Sequence, residues 1–175
     1  MKQVMTCVLA FGSNLGERET TIRAAWDDLL AAPGIHSVEP SPLHDSVALT
    51  EDGLDPDAPA YLNAVAVVTT DLSPDELLDL VNRIEAEHGR VRVERWGSRT
   101  LDIDIITYGG RVVKTDRLTI PHPRAFERDF VLRPWLDLDP NAVLMGHGRV
   151  SDVLARLENP AAAHRREPTW GGGRA

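Results

Sequence analysis

Residues 61–84 read YLNAVAVVTTDLSPDELLDLVNRI, and the change of rhythm inside this stretch decides the fold class. Tyr61 to Thr70 is a short apolar run of strand length. Ser73-Pro74-Asp75-Glu76 then opens a helix. Ser73 can cap it, Pro74 suits its first turn and Glu76 completes a capping box. Leu77, Leu80, Val81 and Ile84 recur at helical spacing and make its buried stripe, which Gly89 ends.

Upstream, Val4 to Phe11 reads as a buried strand closed by a glycine turn. A signal peptide would need a small-residue cleavage site, and this run leads instead into Gly12-Ser13-Asn14, so a first strand is expected. Leu15 to Ala32 is helical by the spacing of Ile22, Ala25, Trp26, Leu29 and Leu30, and Pro33-Gly34 stops it. Extended stretches are expected at Ile35–Val38 and His44–Leu49. The acidic segment Glu51 to Ala60, with Gly53, Pro56 and Pro59, reads as a loop. Downstream, the arginine-rich Arg90 to Arg99 is a loop and Leu101 to Tyr108 a strand. Arg111 to Thr115 is expected to pair back on that strand across Gly109-Gly110. Short helices are expected within Ile120–Asp129 and over Ser151–Glu158.

The order strand, helix, strand, strand, helix, strand implies an α+β, ferredoxin-like fold. It is an antiparallel sheet with helices on one face, plus C-terminal additions. Residues 1–160 read as a single domain and 161–175 as a mobile tail with little to bury.

The chain has 175 residues and a net charge of -8, so it has no global attraction for nucleic acid or anionic lipid. No apolar run approaches membrane-spanning length. Its one cysteine, Cys7, rules out a disulfide framework and a cysteine-rich zinc site, and is compatible with a cytoplasmic location.

The sharpest chemical signal is Leu101-Asp102-Ile103-Asp104-Ile105-Ile106. Strand side chains alternate, so Asp102 and Asp104 share a face, opposite Leu101, Ile103 and Ile105. Paired carboxylates repel unless a cation such as Mg²⁺ joins them, and that ion brings phosphates with it. A solvated edge strand would show the same pattern. Arg90, Arg92, Arg95 and Arg99 lie just upstream with Trp96 and Gly97, and arginine gives multidentate contacts to phosphate. A phosphate clamp explains this loop better than a merely solvated one. Tyr61 and Asn63 share a face: a ring that can stack on a heterocycle, and a carboxamide offering donor and acceptor. A partly buried core tyrosine would look the same. His122 is held between Pro121 and Pro123 near Arg124 and Arg128, as a phosphate contact or as a structural histidine. The Gly-x-x-x-x-Gly-Lys-Ser/Thr loop and the protein-kinase signatures are missing.

Together these pieces resemble the 6-hydroxymethyl-7,8-dihydropterin pyrophosphokinase family. The matching motifs are Phe11-Gly-Ser-Asn-Leu-Gly16, Tyr61-Leu-Asn-Ala-Val65, Gly89-Arg-Val-Arg92 and Glu94-Arg-Trp-Gly-Ser-Arg-Thr-Leu-Asp-Ile-Asp104. Leu118-Thr-Ile-Pro-His-Pro-Arg124, Glu127-Arg128 and Phe130-Val-Leu132 follow, in the family's order. The resemblance implies a ferredoxin-like fold, with ATP as diphosphate donor and two Mg²⁺ ions on Asp102 and Asp104. Arg90, Arg92, Arg99, His122 and Arg128 would hold the ATP phosphates, the first three as catalytic residues with the two aspartates. Glu85, Ile105, Arg117 and Thr119 would lie along the nucleoside. Tyr61 and Phe130 would sandwich the pterin, with Asn63 on its edge, and Trp96 would close over both substrates. Ser46 and Val47 stand where members carry Thr-Pro, and with Leu49 they would contact the pterin from a loop followed by a longer acidic insert. Phe126 and Asp129 replace the commoner His and Ala, with little effect expected. Implied partners are the two small-molecule substrates, with no nucleic acid and no membrane, and the chain is expected to be a monomer. A non-catalytic nucleotide or pterin sensor is the rival from another class, and a paralogue disabled at its 44–60 loop a second. The intact aspartate pair speaks against the sensor.

Overall fold

In the computed structural model residues 1–14, 16–50, 52–89, 101–157 and 163–166 are described. In chain order the elements are β1 (Met5–Ser13), α1 (Arg18–Ala31), β2 (Ile35–Pro40), β3 (His44–Ser46), β4 (Ala48–Thr50), β5 (Gly53–Asp55) and β6 (Tyr61–Thr70). Then come α2 (Pro74–Glu87), β7 (Asp102–Tyr108), β8 (Val113–Lys114), β9 (Thr119–Ile120), a 3₁₀ turn (Ala125–Glu127) and α3 (Asp129–Leu138). β10 (Val143–Leu144), β11 (Gly148–Arg149), α4 (Val150–Ala155) and β12 (His164–Arg165) complete the described chain.

The main sheet runs β12-β3-β6-β1-β7, with β2 preceding β3 along the same edge of β6. Every pairing in it is antiparallel. Its central strands β1 and β6 pair over the whole length of β1, from Met5↔Thr70 to Ser13↔Leu62. This is the ferredoxin-like α+β plan.

Cys7, Leu9 and Phe11 pack against Ile22, Ala25 and Leu29 of α1 and Leu77, Val81 and Ile84 of α2. Val8 and Ala10 point the other way, onto Val131, Leu132 and Trp135 of α3 and Val150 and Val153 of α4. Helices therefore cover both faces, where one face was expected. The cause is legible in β1, which is apolar at successive positions and so needs cover on both sides. The α2 start is as expected: Ser73 Oγ accepts from Glu76 N–H at 3.2 Å and the Glu76 carboxylate accepts from Ser73 N–H at 2.9 Å. Replacing Ser73 by Ala would cost about 1 kcal/mol.

Three further expectations are corrected. β8 pairs with β9 and not with β7, because Thr115 accepts the Leu118 N–H on its Oγ1 at 3.1 Å and turns the chain before it can return to β7. The acidic 51–60 segment is not all loop, since Gly53 at φ 105° allows β5 to fold back on β4 as a hairpin. Residues 163–166 of the expected tail dock on the body: Ala163 is buried and β12 adds to β3. Among the described residues no helix is long and apolar enough to cross a membrane.

Candidate functional site

β7 turns Ile103 and Ile105 into the α1–α2 core and presents half-buried Asp102 and Asp104 on the opposite face. The register of the sheet sets their neighbours. Across it, Asn63 of β6 stands opposite Gly12 of β1, which stands opposite Asp102 of β7. In the next row outward on this face, Val65 faces Ala10 and Ala10 faces Asp104. The middle strand thus carries its two smallest side chains between the carboxylates and the β6 wall. A Cβ built on Gly12 would lie 3.6 Å from Tyr61 Cδ1 and 3.7 Å from Asn63 Oδ1, so the bare glycine keeps the floor beside them open.

Over this floor lies an open cleft. Ser46, Val47, Leu49, Tyr61, Asn63 and Phe130 line it together with Asp102, Asp104 and Arg128. Asn63 is buried and its amide donates to Ser46 Oγ at 2.7 Å and to the His44 carbonyl at 3.3 Å. The carboxamide is therefore oriented by β3. Phe130, at the start of α3, lies under the Arg128 guanidinium, 5.8 Å from ring centroid to Cζ.

A second, more open cleft lies on the other side of the aspartates. Leu78, Asn82 and Glu85 of α2 form one wall, and Ile105, Arg117, Thr119 and His122 the other. Asp102 and Asp104 line both clefts. Glu85 is buried and accepts the Ile103 N–H of β7 at 2.7 Å, which satisfies an outward backbone donor on this strand. Arg117 reaches back to α2, 2.5 Å from Asp79 Oδ1 and 3.8 Å from Asp75.

The carboxylate of Asp104 faces two cationic or neutral donors. Arg128 Nη1 is 3.4 Å from its Oδ2 and His122 Nε2 is 3.9 Å away. His122 N–H donates to the Ile106 carbonyl, pinning the ring beside β7. Its Nδ1 accepts the Arg124 N–H at 3.2 Å, which leaves the ring proton on Nε2, toward Asp104. Burial pushes the His122 pKa below its ordinary 6.5, against the pull of Asp104 and with the push of Arg128 and Arg124. Arg128 is largely buried, and its Nε–H has no acceptor among the described residues. Such a donor suits an anionic ligand.

Two half-buried carboxylates fit a hard, oxygen-seeking cation. Among the described residues no three His, Cys, Asp or Glu side chains gather as a metal cage. A cation here would complete its shell with water and ligand oxygens, as Mg²⁺ does with phosphates.

Of the residues singled out from the sequence, the structure thus brings Ser46, Val47, Leu49, Tyr61, Asn63, Phe130 and Arg128 into one cleft. Glu85, Ile105, Arg117, Thr119 and His122 stand in the other, and the aspartates lie between. Arg90, Arg92, Trp96 and Arg99 lie outside the described residues. Ala10, Gly12, Leu78 and Asn82 were missed. Period-two smallness in β1 and the i, i+4, i+7 stripe Leu78-Asn82-Glu85 were the available signals. Asp129, expected to matter little, is buried and accepts the Ala163 N–H at 2.8 Å. Phe126 stacks on His147, with ring centroids 4.5 Å apart.

The chain matches the family model described as 7,8-dihydro-6-hydroxymethylpterin-pyrophosphokinase over residues 8–140. It is 38% identical over 162 residues to a Haemophilus influenzae protein named 2-amino-4-hydroxy-6-hydroxymethyldihydropteridine pyrophosphokinase, covering 93% of this chain and 96% of that one. It is 42% identical over 148 residues to the Pseudomonas aeruginosa protein of the same name, covering 84% and 88%. Among solved structures it is similar in fold to the wild-type HPPK-DHPS of Plasmodium falciparum with pteroate, at a TM-score of 0.67 and 13% identity. That match covers 89% of this chain and 42% of the other, so the chain spans less than half of that longer protein. On the family-model match and these relatives, the chain belongs to the 7,8-dihydro-6-hydroxymethylpterin pyrophosphokinase family.

Proposed function

We propose that this chain transfers the terminal diphosphate of ATP to the hydroxymethyl group of 6-hydroxymethyl-7,8-dihydropterin, releasing AMP, in folate biosynthesis. One observation carries the reading: two clefts of different chemistry meet at Asp102 and Asp104. A two-substrate transfer needs its reacting atoms at such a junction.

The pterin occupies the first cleft. Tyr61 and Phe130 hold its ring and the Asn63 carboxamide reads its hydrogen-bonding edge, with Ser46, Val47 and Leu49 closing the side. ATP occupies the second cleft. Its nucleoside lies along Glu85, Ile105, Arg117 and Thr119, and His122 and Arg128 meet its phosphates near Asp104. By the family resemblance, Arg90, Arg92 and Arg99 would be further phosphate donors and Trp96 would close over the substrates.

The hydroxymethyl oxygen forms a bond to the β-phosphorus in line with the breaking Pα–O–Pβ bridge. The bridging oxygen leaves with AMP and the hydroxyl proton is released. Asp102 and Asp104 are the groups that would hold Mg²⁺, which supplies charge neutralisation to the phosphates when bound. Arg128 donates to the transferring group, and neutral His122 adds an Nε2–H donor without adding a second full charge. Burial of both limits screening by water. We likewise propose a cytoplasmic monomer that takes small-molecule substrates alone.

Mass analysis of the product tests the reading. The pterin product should carry two phosphoryl units and form only with a divalent cation present. A pterin carrying one phosphoryl unit, or turnover that survives a chelator, would contradict it.

A further inference from the structure

Residues 163–166 form a short strap on the outer edge of β3, and the strap is held at both ends. At one end the Ala163 N–H donates to buried Asp129 Oδ2 at 2.8 Å, next to Phe130 of the first cleft. At the other end the Arg166 N–H donates to the Leu43 carbonyl at 2.8 Å. The Arg166 guanidinium forks onto Asp45, Nε to Oδ2 at 3.1 Å and Nη2 to Oδ1 at 3.2 Å. Between the ends, His164 pairs with Asp45 and Arg165 with His44.

β3 is only three residues long, and its other edge is the one that meets the site. His44 pairs with Asn63 and Ser46 with Tyr61. The His44 carbonyl and the Ser46 hydroxyl are the two acceptors that orient the Asn63 amide. Two charged links tie the strap into this wall. Arg165 Nη2 donates to Asp137 Oδ1 at 2.8 Å, and Asp137 Oδ2 holds the buried His44 ring at 2.7 Å. Asp45 also lies 3.8 Å from Arg18, whose Nη1 donates to the Ala60 carbonyl, one residue before Tyr61.

A three-residue edge strand is weakly held by one neighbour alone. We infer that the 163–166 strap is a positioning element for the pterin side of the site, and that Arg166 is its principal positioning residue. It sets β3, and through β3 the orientation of Asn63 and Tyr61. Among the described residues the walls of the second cleft come from α2, β7, β9 and the His122 segment, and none of them belongs to the strap or to β3. The inference rests on the pterin pyrophosphokinase reading.

The test compares the full chain, a chain ending at residue 162, Arg166→Ala and Arg166→Lys, all below their melting temperatures. Pterin KM and ATP KM are measured separately, with pterin Kd by calorimetry as a readout independent of turnover. The truncated chain should raise pterin KM and Kd about tenfold, and Arg166→Ala about threefold, with ATP KM unchanged. Arg166→Lys should fall between Arg166→Ala and the full chain, since lysine keeps the charge and loses the fork. Unchanged pterin KM and Kd in Arg166→Ala would overturn the inference, as would pterin and ATP KM rising in step. If the truncated chain does not fold, Arg166→Ala decides alone. A full chain that binds pterin without turning over would sink the functional reading, and the Kd series would still decide the strap.

Discussion

The two clefts share a pair of carboxylates and little else. The first is built from side chains that recognise shape and hydrogen-bonding pattern: two aromatic rings, an oriented carboxamide, and a floor of Gly12 and Ala10. The second is built along the outer strand β7, with charge and backbone at its rim: Glu85 on a strand amide, Arg117 on α2, His122 beside Asp104. A rigid bicyclic ligand rewards a shaped slot, whereas a long, charged and flexible one needs donors spread along a groove. Asp102 and Asp104 stand where the two kinds of recognition meet.

If that division holds, substitutions at the junction should damage everything and substitutions in one cleft should damage one substrate. The largest effect is expected at the junction. Asp104→Ala should lower kcat by at least about 10³ while circular dichroism shows an intact fold. Near-normal turnover would remove the pair from the chemistry. Next comes Arg128→Ala, which should lower kcat by about 10², because a buried donor to the transferring group is lost. A change in pterin KM alone would confine Arg128 to its part in the wall of the first cleft, beside Phe130.

Tyr61→Ala should raise pterin KM about tenfold and leave ATP KM unchanged, the scale of one aromatic contact and its buried area. Equal loss of both would erase the contrast between the clefts. In the second cleft Arg117→Ala should raise ATP KM by less than about fivefold, since this side chain is exposed and its ion pairs are screened. A larger shift in pterin KM would place the boundary between the clefts elsewhere.

The smallest effect concerns stability. Burial lowers the His44 pKa below its ordinary 6.5, against the hydrogen bond and charge of Asp137, with Arg165 and Arg133 also opposing protonation. The unfolded chain then binds this proton before the folded chain does. The contribution is complete above about pH 6.5 and is lost as pH falls through the window below it. His44→Gln should therefore flatten the fall in melting temperature between about pH 7 and pH 5.5. An unchanged slope would assign the acid sensitivity to other groups.

Much of this was legible before the structure. The Tyr61–Ile84 stretch declared a strand and a capped helix because local signals there agree with the fold: a short apolar run ends, a cap follows, and apolar residues then recur at helical spacing. Asp102 and Asp104 declared a shared face by period two alone. The second covered face was harder, because the apolar positions of β1 show that both sides are buried without showing which later helix does it. The strap was invisible for a related reason. His164-Arg165-Arg166 is polar, and it docks through its backbone and through Asp45, Asp129 and Asp137. Asp129 looked like a neutral replacement because its partner is a backbone amide far along the chain. The same holds for β8, whose pairing was set by a turn at Thr115 that apolar pattern does not encode.

The most direct test is nucleotide release from ATP and Mg²⁺, with and without 6-hydroxymethyl-7,8-dihydropterin. AMP that appears only with the pterin, one for each pterin consumed and with no ADP, is the predicted result. ADP as the nucleotide product, or AMP formed at the same rate without the pterin, would contradict a diphosphate transfer between the two clefts.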